Sequence, residues 1–381
     1  MDLDLHWFLP TTGDGRTLVG GGQGVPRAGV VVSGGAGGTA SQFRAPDLDY
    51  LTSVATTADR LGFTGVLTPT GTFCEDAWLV TSALIRETNR LRFLVAFRPG
   101  LVSPTLAAQM ASTFQRLSGG RVALNVVTGG EPAEQARFGD HLSHDERYAR
   151  TDEFLAVVRG AWGAEPFDLD GDHYRVVGAR TREVPDPLPP IYFGGSSPAA
   201  GPVAARHTDV YLTWGEPPAQ VAEKVRWIRG LAEEQGRHVR FGIRMHVIAR
   251  DSAAEAWRHA QWLVDTLDPA DVAKAQQAMA ASESVGQQRM SALRQGDGAL
   301  TRRSLEVAPN LWSGVGLVRG GAGTALVGSH EEVADRIEEY AALGIEEFIL
   351  SGYPHLEEAH WVAEGVMPVL RNRGRLAVRA A

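Results

Sequence analysis

Along FGIRMHVIAR, residues 241–250, Phe241, Ile243, Met245 and Val247 alternate with Gly242, Arg244, His246 and Ile248. Successive side chains of a strand point to opposite faces. The segment therefore predicts a strand, Arg240–Ile248, with one apolar face and with Arg244 and His246 together on the other. Short apolar runs at Leu3–Leu9, Gly65–Thr68, Arg92–Phe97, Arg121–Val127, Pro190–Phe193, Asp209–Thr213 and Glu346–Leu350 predict further strands. Between them the apolar spacing changes to three and four, the period of a helix. Helices are expected at Asp47–Leu61, Glu75–Asn89, Pro104–Leu117, Asp145–Trp162, Ala199–Arg206, Pro218–Gln235, Ala253–Leu267 and Leu356–Leu370. About eight strand–helix pairs are the arithmetic of an α/β fold of the (β/α)8 TIM-barrel type. The competing architecture is a doubly wound open sheet, but no G-x-G-x-x-G follows the first strand.

Three stretches break this rhythm. FDLDGDHYRVVG reads as a small hairpin turning near Asp170-Gly171. Residues 20–42 are Gly-rich with a short Val run and read as an inserted loop. Residues 268–328 are a longer insertion, helical and polar at first, ending in GVGLVRGGAGTALVG around the single charge of Arg319. Long Gly-rich loops in compact enzymes are often lids, and a mobile lid is expected here. The whole of 1–381 is read as one barrel domain with these insertions.

Charge and composition narrow the chemistry. The chain has 381 residues, is 44% hydrophobic, and carries a net charge of −8. An acidic surface argues against a nucleic acid or an anionic membrane as partner. It also makes a local pair of cations more telling. Cys74 is the sole cysteine, so no intrachain disulfide forms, which fits a reducing cytoplasm. MDLDLHWFLP does not resemble a signal peptide, and no run has the length of a membrane span.

In a barrel, function gathers at the C-terminal strand ends. Here they read PTTGDG, PTGTFCEDAW, RPGLVSPT, TGGEPAE, FGGSS, TWGEPP, RMH and SGYPHLEEA. Eight ends rich in Thr, Gly, Ser, Cys, Trp, Arg, His and Tyr are hard to attribute to packing. FGGSSPAA suggests a phosphate cradle, with glycines for close approach, serine hydroxyls and a helix start. A plain strand-to-helix turn capped by Ser would look the same. No Walker A pattern, metal-ligand spacing or G-x-S-x-G elbow is present. Cys74 sits beside Glu75 and Asp76, near a helix start.

The segments HWFLPTTGDG, GVLTPTGTFCEDAWLV, FLVAFRPGLVSPTLAAQMA, NVVTGGEP, PPIYFGGSS, DVYLTWGEPP, RFGIRMHVI, SVGQQRM, PNLWSGVGLVRGGAGTALVG and YAALGIEEFILSGYPHLEEA span nearly the whole chain in order. With them the chain resembles the bacterial luciferase-like flavin monooxygenases, and within these the FMNH2-dependent alkanesulfonate monooxygenases. The resemblance implies FMN at the C-terminal face of the barrel. It implies a reaction in which reduced FMN and O2 form a peroxyflavin and the sulfonate is cleaved to an aldehyde and sulfite, for sulfur acquisition. A separate NAD(P)H-dependent FMN reductase would supply the reduced flavin, and a homodimer or homotetramer is the family expectation.

The same resemblance implies roles for residues. Arg244 and His246 would lie in the sulfonate pocket, where an Arg fork suits three anionic oxygens. Arg319 would be a second cation brought by the lid. Tyr353 and Trp214 would line the pocket, the former able to relay a proton. Cys74 would tune flavin oxygenation without acting as a nucleophile. Thr128, Gly129, His144, Tyr148, Gly195, Ser196 and Ser197 would hold FMN. Thr12 stands where the alkanesulfonate enzymes carry a His, and 20–42 is additional; both flank the mouth and leave the substrate open, a sulfosugar such as sulfoquinovose or a sulfone included. Hydride transfer with F420, or a non-catalytic binding protein, are the other classes weighed.

Overall fold

In the computed structural model, residues 2–18, 43–294 and 300–377 are described. The inserted loop expected at 20–42 lies outside them. Eight parallel strands close into a barrel: β1 (Asp4–Phe8), β2 (Gly65–Thr68), β3 (Arg92–Phe97), β4 (Val122–Val126), β5 (Ile191–Phe193), β6 (Val210–Trp214), β7 (Arg240–Arg250) and β8 (Glu347–Ser351). Neighbours pair in chain order, and β8 returns to β1 with His6 opposite Ile349. This is the expected (β/α)8 TIM barrel.

The helices outside it are α1 (Leu48–Leu61), α2 (Ala77–Leu84), α3 (Pro104–Ser118), α4 (His144–Ala161), α5 (Ala200–His207), α6 (Pro218–Glu233) and α7 (Ala253–Asp265). Their ends follow local chemistry. Asp47 caps α1 by accepting from the Tyr50 N–H, and Gly62 ends it at φ 90°. Helix α2 is shorter than expected because Asp76, not Glu75, caps it, and it stops at Leu84. The 167–179 hairpin forms as expected, with strands Phe167–Asp170 and Arg175–Ala179.

The insertion holds more structure than its sequence predicts. After α8 (Pro269–Ala280) and α9 (Val285–Ala292), the strand Ala325–Ser329 pairs in parallel with His246–Arg250, followed by α10 (His330–Ala342). The 325–329 strand and α10 were not anticipated: ALVGS is short, Gly-flanked, and indistinguishable from loop without its partner. The final helix starts at His355 as α11 (His355–Trp361) and continues through a π turn, Val362–Val366.

Strand β7 is therefore shared. Its residues 240–244 pair with β6, 242–246 with β8, and 246–250 with the inserted strand. His246 sits where the strand leaves the barrel.

Packing separates into layers. Phe241, Ile243, Met245 and Val247 face the helices, in the large core between sheet and helix ring. The barrel interior holds Phe8, Leu67, Leu94, Ala123, Tyr192, Val210 and Ile349. Below them Glu347 binds His6 (3.0 Å), Tyr192 (2.7 Å) and Arg240 (2.7 Å), a polar plug at the floor. The insertion packs its own core, from Trp257 and Met279 through Trp312, Val315 and Leu317 to Tyr353. Among the described residues no helix is long and apolar enough to cross a membrane.

Candidate active site at the C-terminal face of the barrel

Arg244 stands opposite Ile349 of the apolar layer in register. It is only 7% exposed. Its Nη1 donates to the Met245 carbonyl (2.6 Å) and its Nη2 to Ser351 Oγ (2.9 Å). The guanidinium lies over the Phe8 ring, 4.7 Å from its centroid. Arg319, 5% exposed, comes down from the insertion onto the same ring at 5.3 Å and donates to the Tyr353 hydroxyl. Neither arginine has a carboxylate partner among the described residues. Two cations thus share one buried ring with no acid to neutralise them. Burial, reinforced by the charge of Arg319, pushes Arg244 down to about 9.

His246 uses both ring nitrogens. Nε2 lies 3.1 Å from the Ala322 carbonyl, which can only accept, so the proton is on Nε2. Nδ1 then accepts from Ser351 Oγ at 2.7 Å. A single chain results: Arg244 to Ser351 to His246 to the Ala322 carbonyl. Burial, with Arg244 and Arg319 nearby, holds His246 far below its ordinary value, so the ring is neutral. It stacks on Tyr353 at 5.4 Å and 18°.

A second histidine packs against Tyr353 with its ring plane at 73°. His355 is fully buried, its ring 5.3 Å from Tyr353 and 5.5 Å from Phe8. Its Nδ1 lies 2.8 Å from Asp14 Oδ1, and its backbone N–H donates to Asp14 Oδ2 at 2.8 Å. Tyr50 also donates to Asp14 and is contacted by Arg44, which pairs with Glu357. Burial pushes the Asp14 carboxyl up, but the charge and hydrogen bonds of His355 and Tyr50 outweigh it and hold the carboxyl below its usual range. Among the described residues His355 Nε2 is buried with no hydrogen-bond partner.

The lid expected on Arg319 is a folded segment. Val315, Leu317, Val318 and Ala322 are buried around it. Its Gly321 N–H donates to Gln287 Oε1 on α9 at 2.8 Å. Helix α9 is clamped in turn: Arg289 binds both oxygens of the fully buried Glu216 at 2.8 Å, and Lys224 Nζ binds the same carboxylate at 2.8 Å. Trp214 is half-buried under this assembly, 3.0 Å from where a Cβ on Gly286 would stand.

The residues implied for FMN gather on the β4 and β5 ends. A Cβ on Gly195 would lie 2.6 Å from Ala200 Cβ and 3.0 Å from the Tyr148 hydroxyl, so only glycine lets the β5 end pack this closely on α5 and Tyr148. His144 opens α4 with its ring 4.9 Å from Tyr148. Ser196 and Ser197 form the turn into α5, and the Ser197 side chain is buried against the Tyr148 hydroxyl, with which it interacts. Thr128 Oγ1 is 3.5 Å from Thr151 Oγ1. Gly129 has φ 89°, and a Cβ there would strike Gln135 Nε2 at 1.6 Å. Cys74 lies in the turn before Asp76, with its N–H on the Gly71 carbonyl (3.1 Å); Glu75 N–H ties that turn to the Thr11 carbonyl after β1 (3.0 Å).

Sequence reasoning placed Arg244, His246, Arg319 and Tyr353 together, and the structure does the same. It missed Phe8, Ser351 and the Asp14–His355 pair. Phe8 shares the inward face with His6, and Ser351 follows the apolar run of β8, both signals available from alternation. The pairing of Asp14 with a residue 341 positions away had no local signal.

A family model for luciferase-like monooxygenases matches residues 5–347. A long-chain alkane monooxygenase superposes with a TM-score of 0.77 at 20% identity, covering 100% of this chain and 94% of that one. A riboflavin lyase solved with modified FMN and riboflavin gives 0.75 at 22%, covering 99% and 93%. EDTA monooxygenase from Chelativorans sp. BNC1 gives 0.72 at 20%, covering 99% and 95%.

Proposed function

This chain belongs to the luciferase-like monooxygenase family, and on that premise we propose that it is a two-component, FMNH2-dependent monooxygenase acting on an organosulfonate. The substrate, O2 and reduced FMN would give an aldehyde, bisulfite, FMN and water. A separate NAD(P)H-dependent reductase would supply the reduced flavin. The observation that carries the reading is the pair Arg244 and Arg319, buried on Phe8 without an acidic partner among the described residues. Two desolvated cations in a low-dielectric pocket call for an anion to complete them. A sulfonate offers one full charge on three oxygens, which suits two guanidinium groups.

The residues at the β4 and β5 ends fit FMN. The Ser197 hydroxyl, buried against Tyr148, and the start of α5 suit a phosphate, while glycine at 195 lets the β5 end pack closely against α5 and Tyr148. FMN bound there supplies the redox chemistry with O2. This chain's own residues do the rest. Arg244 and Arg319 bind and orient the sulfonate and favour the departing sulfite as its negative charge grows. Tyr353, held by Arg319, lines the same space. The insertion excludes water above it. The hydroxyls of Thr11 and Thr12, both buried without partners after β1, favour a hydroxylated sulfonate such as a sulfosugar as the second reading.

Sulfite release tests this. The protein would be mixed with an independent FMN reductase, NADPH, FMN and oxygen, and offered methanesulfonate through octanesulfonate and sulfoquinovose. Sulfite from one class is the expected result. FMNH2 oxidation with no sulfite from any of them would overturn the reading.

A further inference from the structure

Two histidines pack against Tyr353 close to Arg244 and Arg319, and they are not chemically equivalent. His246 has no lone pair to offer: Nδ1 already accepts from Ser351 and Nε2 already donates to Ala322. His355 is the reverse. Its Nδ1–H is spoken for by the Asp14 carboxylate, which fixes the tautomer and leaves Nε2 as a bare acceptor, buried and without a partner. A carboxylate that orients a ring through Nδ1 and stabilises the cation formed at Nε2 is the logic of an orienting acid and its base.

We propose that His355, oriented by Asp14, is the general base that takes the proton released when the oxygenated carbon collapses, and that His246 is a positioning residue for Arg244. The inference rests on the sulfonate reading above. The step is R–CH(OH)–SO3− plus neutral His355 giving R–CHO, SO3 2− and His355-H+. The O–H bond breaks to Nε2, its electron pair forms the C=O bond, and the C–S bond breaks with its pair on sulfite. Charge is conserved at −1. The preceding hydroxylation draws on reduced flavin and O2; the collapse itself needs neither. Arg244 and Arg319 hold the sulfonate end, and the two rings His355 touches, Phe8 and Tyr353, are the rings that hold those arginines.

The groups facing His355 are Asp14 with Tyr50 behind it, Tyr353, Arg244, Arg319 and His246. Burial holds the His355 ring below its usual 6.5, and Asp14 only partly offsets this. The base is therefore neutral at neutral pH, and its activity should persist on the acid side of pH 6.5 before it is lost.

The test uses no flavin. A 1-hydroxyalkanesulfonate is an aldehyde–bisulfite adduct and can be offered ready-made. The full-length protein is mixed with hydroxymethanesulfonate and with the butanal and octanal adducts, and aldehyde is read through an aldehyde dehydrogenase and NAD. The expected result is collapse of at least one adduct about 100-fold faster than in buffer, the lower range for a positioned base. H355N should fall to near the buffer rate and lose the pH dependence. D14N, whose amide can hold the ring in the wrong tautomer, should lose at least tenfold. Circular dichroism and melting confirm that each variant is folded. Failure of the unmutated protein to accelerate any adduct, or a wild-type rate and pH profile in H355N, would overturn the assignment. Because the assay contains no flavin, a failed sulfonate panel and a failed adduct assay are separate results.

Discussion

The unpaired arginines make a quantitative prediction about stability. Holding Arg244 at about 9 instead of 12.5 puts a penalty of roughly 5 kcal/mol on its charged form. The guanidinium remains protonated at pH 7, so the folded protein carries that penalty until an anion arrives. An anion at a hundred times its Kd stabilises by about 2.7 kcal/mol. For 381 residues the unfolding entropy is about 0.8 kcal/mol per kelvin, so the melting temperature should rise by about 3 °C. The perturbation is R244M, which keeps the volume over Phe8 and removes the charge. In differential scanning fluorimetry, butanesulfonate or sulfate, with chloride at matched ionic strength as reference, should raise the wild-type melting point. R244M without ligand should melt no lower than about 1 °C below wild type, because the lost hydrogen bonds are offset by the lost penalty, and its anion shift should vanish. A shift of equal size in both proteins would refute the argument, since the anion would then be binding elsewhere. A steep loss of stability in unliganded R244M would refute it too, because the charge would have to be neutralised already.

Two further outcomes follow from the same geometry. S197A removes a buried hydroxyl whose one interaction partner is the Tyr148 hydroxyl, so the apoprotein should lose no more than about 1 kcal/mol while FMN, titrated by fluorescence, binds about tenfold more weakly. E216Q removes the shared partner of Lys224 and Arg289 and should cost about 3–5 kcal/mol in urea unfolding. Burial pushes the Glu216 carboxyl up, but Arg289 and Lys224 outweigh it and hold it below 4.5. Its contribution is therefore present above that value and lost as pH falls through the folded pKa, so the gap between E216Q and wild type should close only in acid.

The barrel was legible because each of its strands announces itself. A run such as RFLVAF at 92–97 is apolar on both faces, and its ends are marked by Gly, Pro or a capping residue. The 325–329 strand was not legible for the complementary reason. It exists because β7 runs past the barrel and offers unpaired backbone at 246–250, and nothing within ALVGS records that offer. The candidate site divides the same way. Alternation along 241–247 put Arg244 and His246 on one face from sequence alone. What alternation cannot reveal is protonation. His246 on β7 and His355 at the start of α11 are both buried histidines, and either could be drawn as a base. They differ in what meets each nitrogen: the Ala322 carbonyl and Ser351 hydroxyl for one, the Asp14 carboxylate and nothing for the other. Those partners come from the segment after β1, from β8 and from the insertion, up to 341 positions away, and they are what turns one imidazole into a brace and leaves the other able to take a proton.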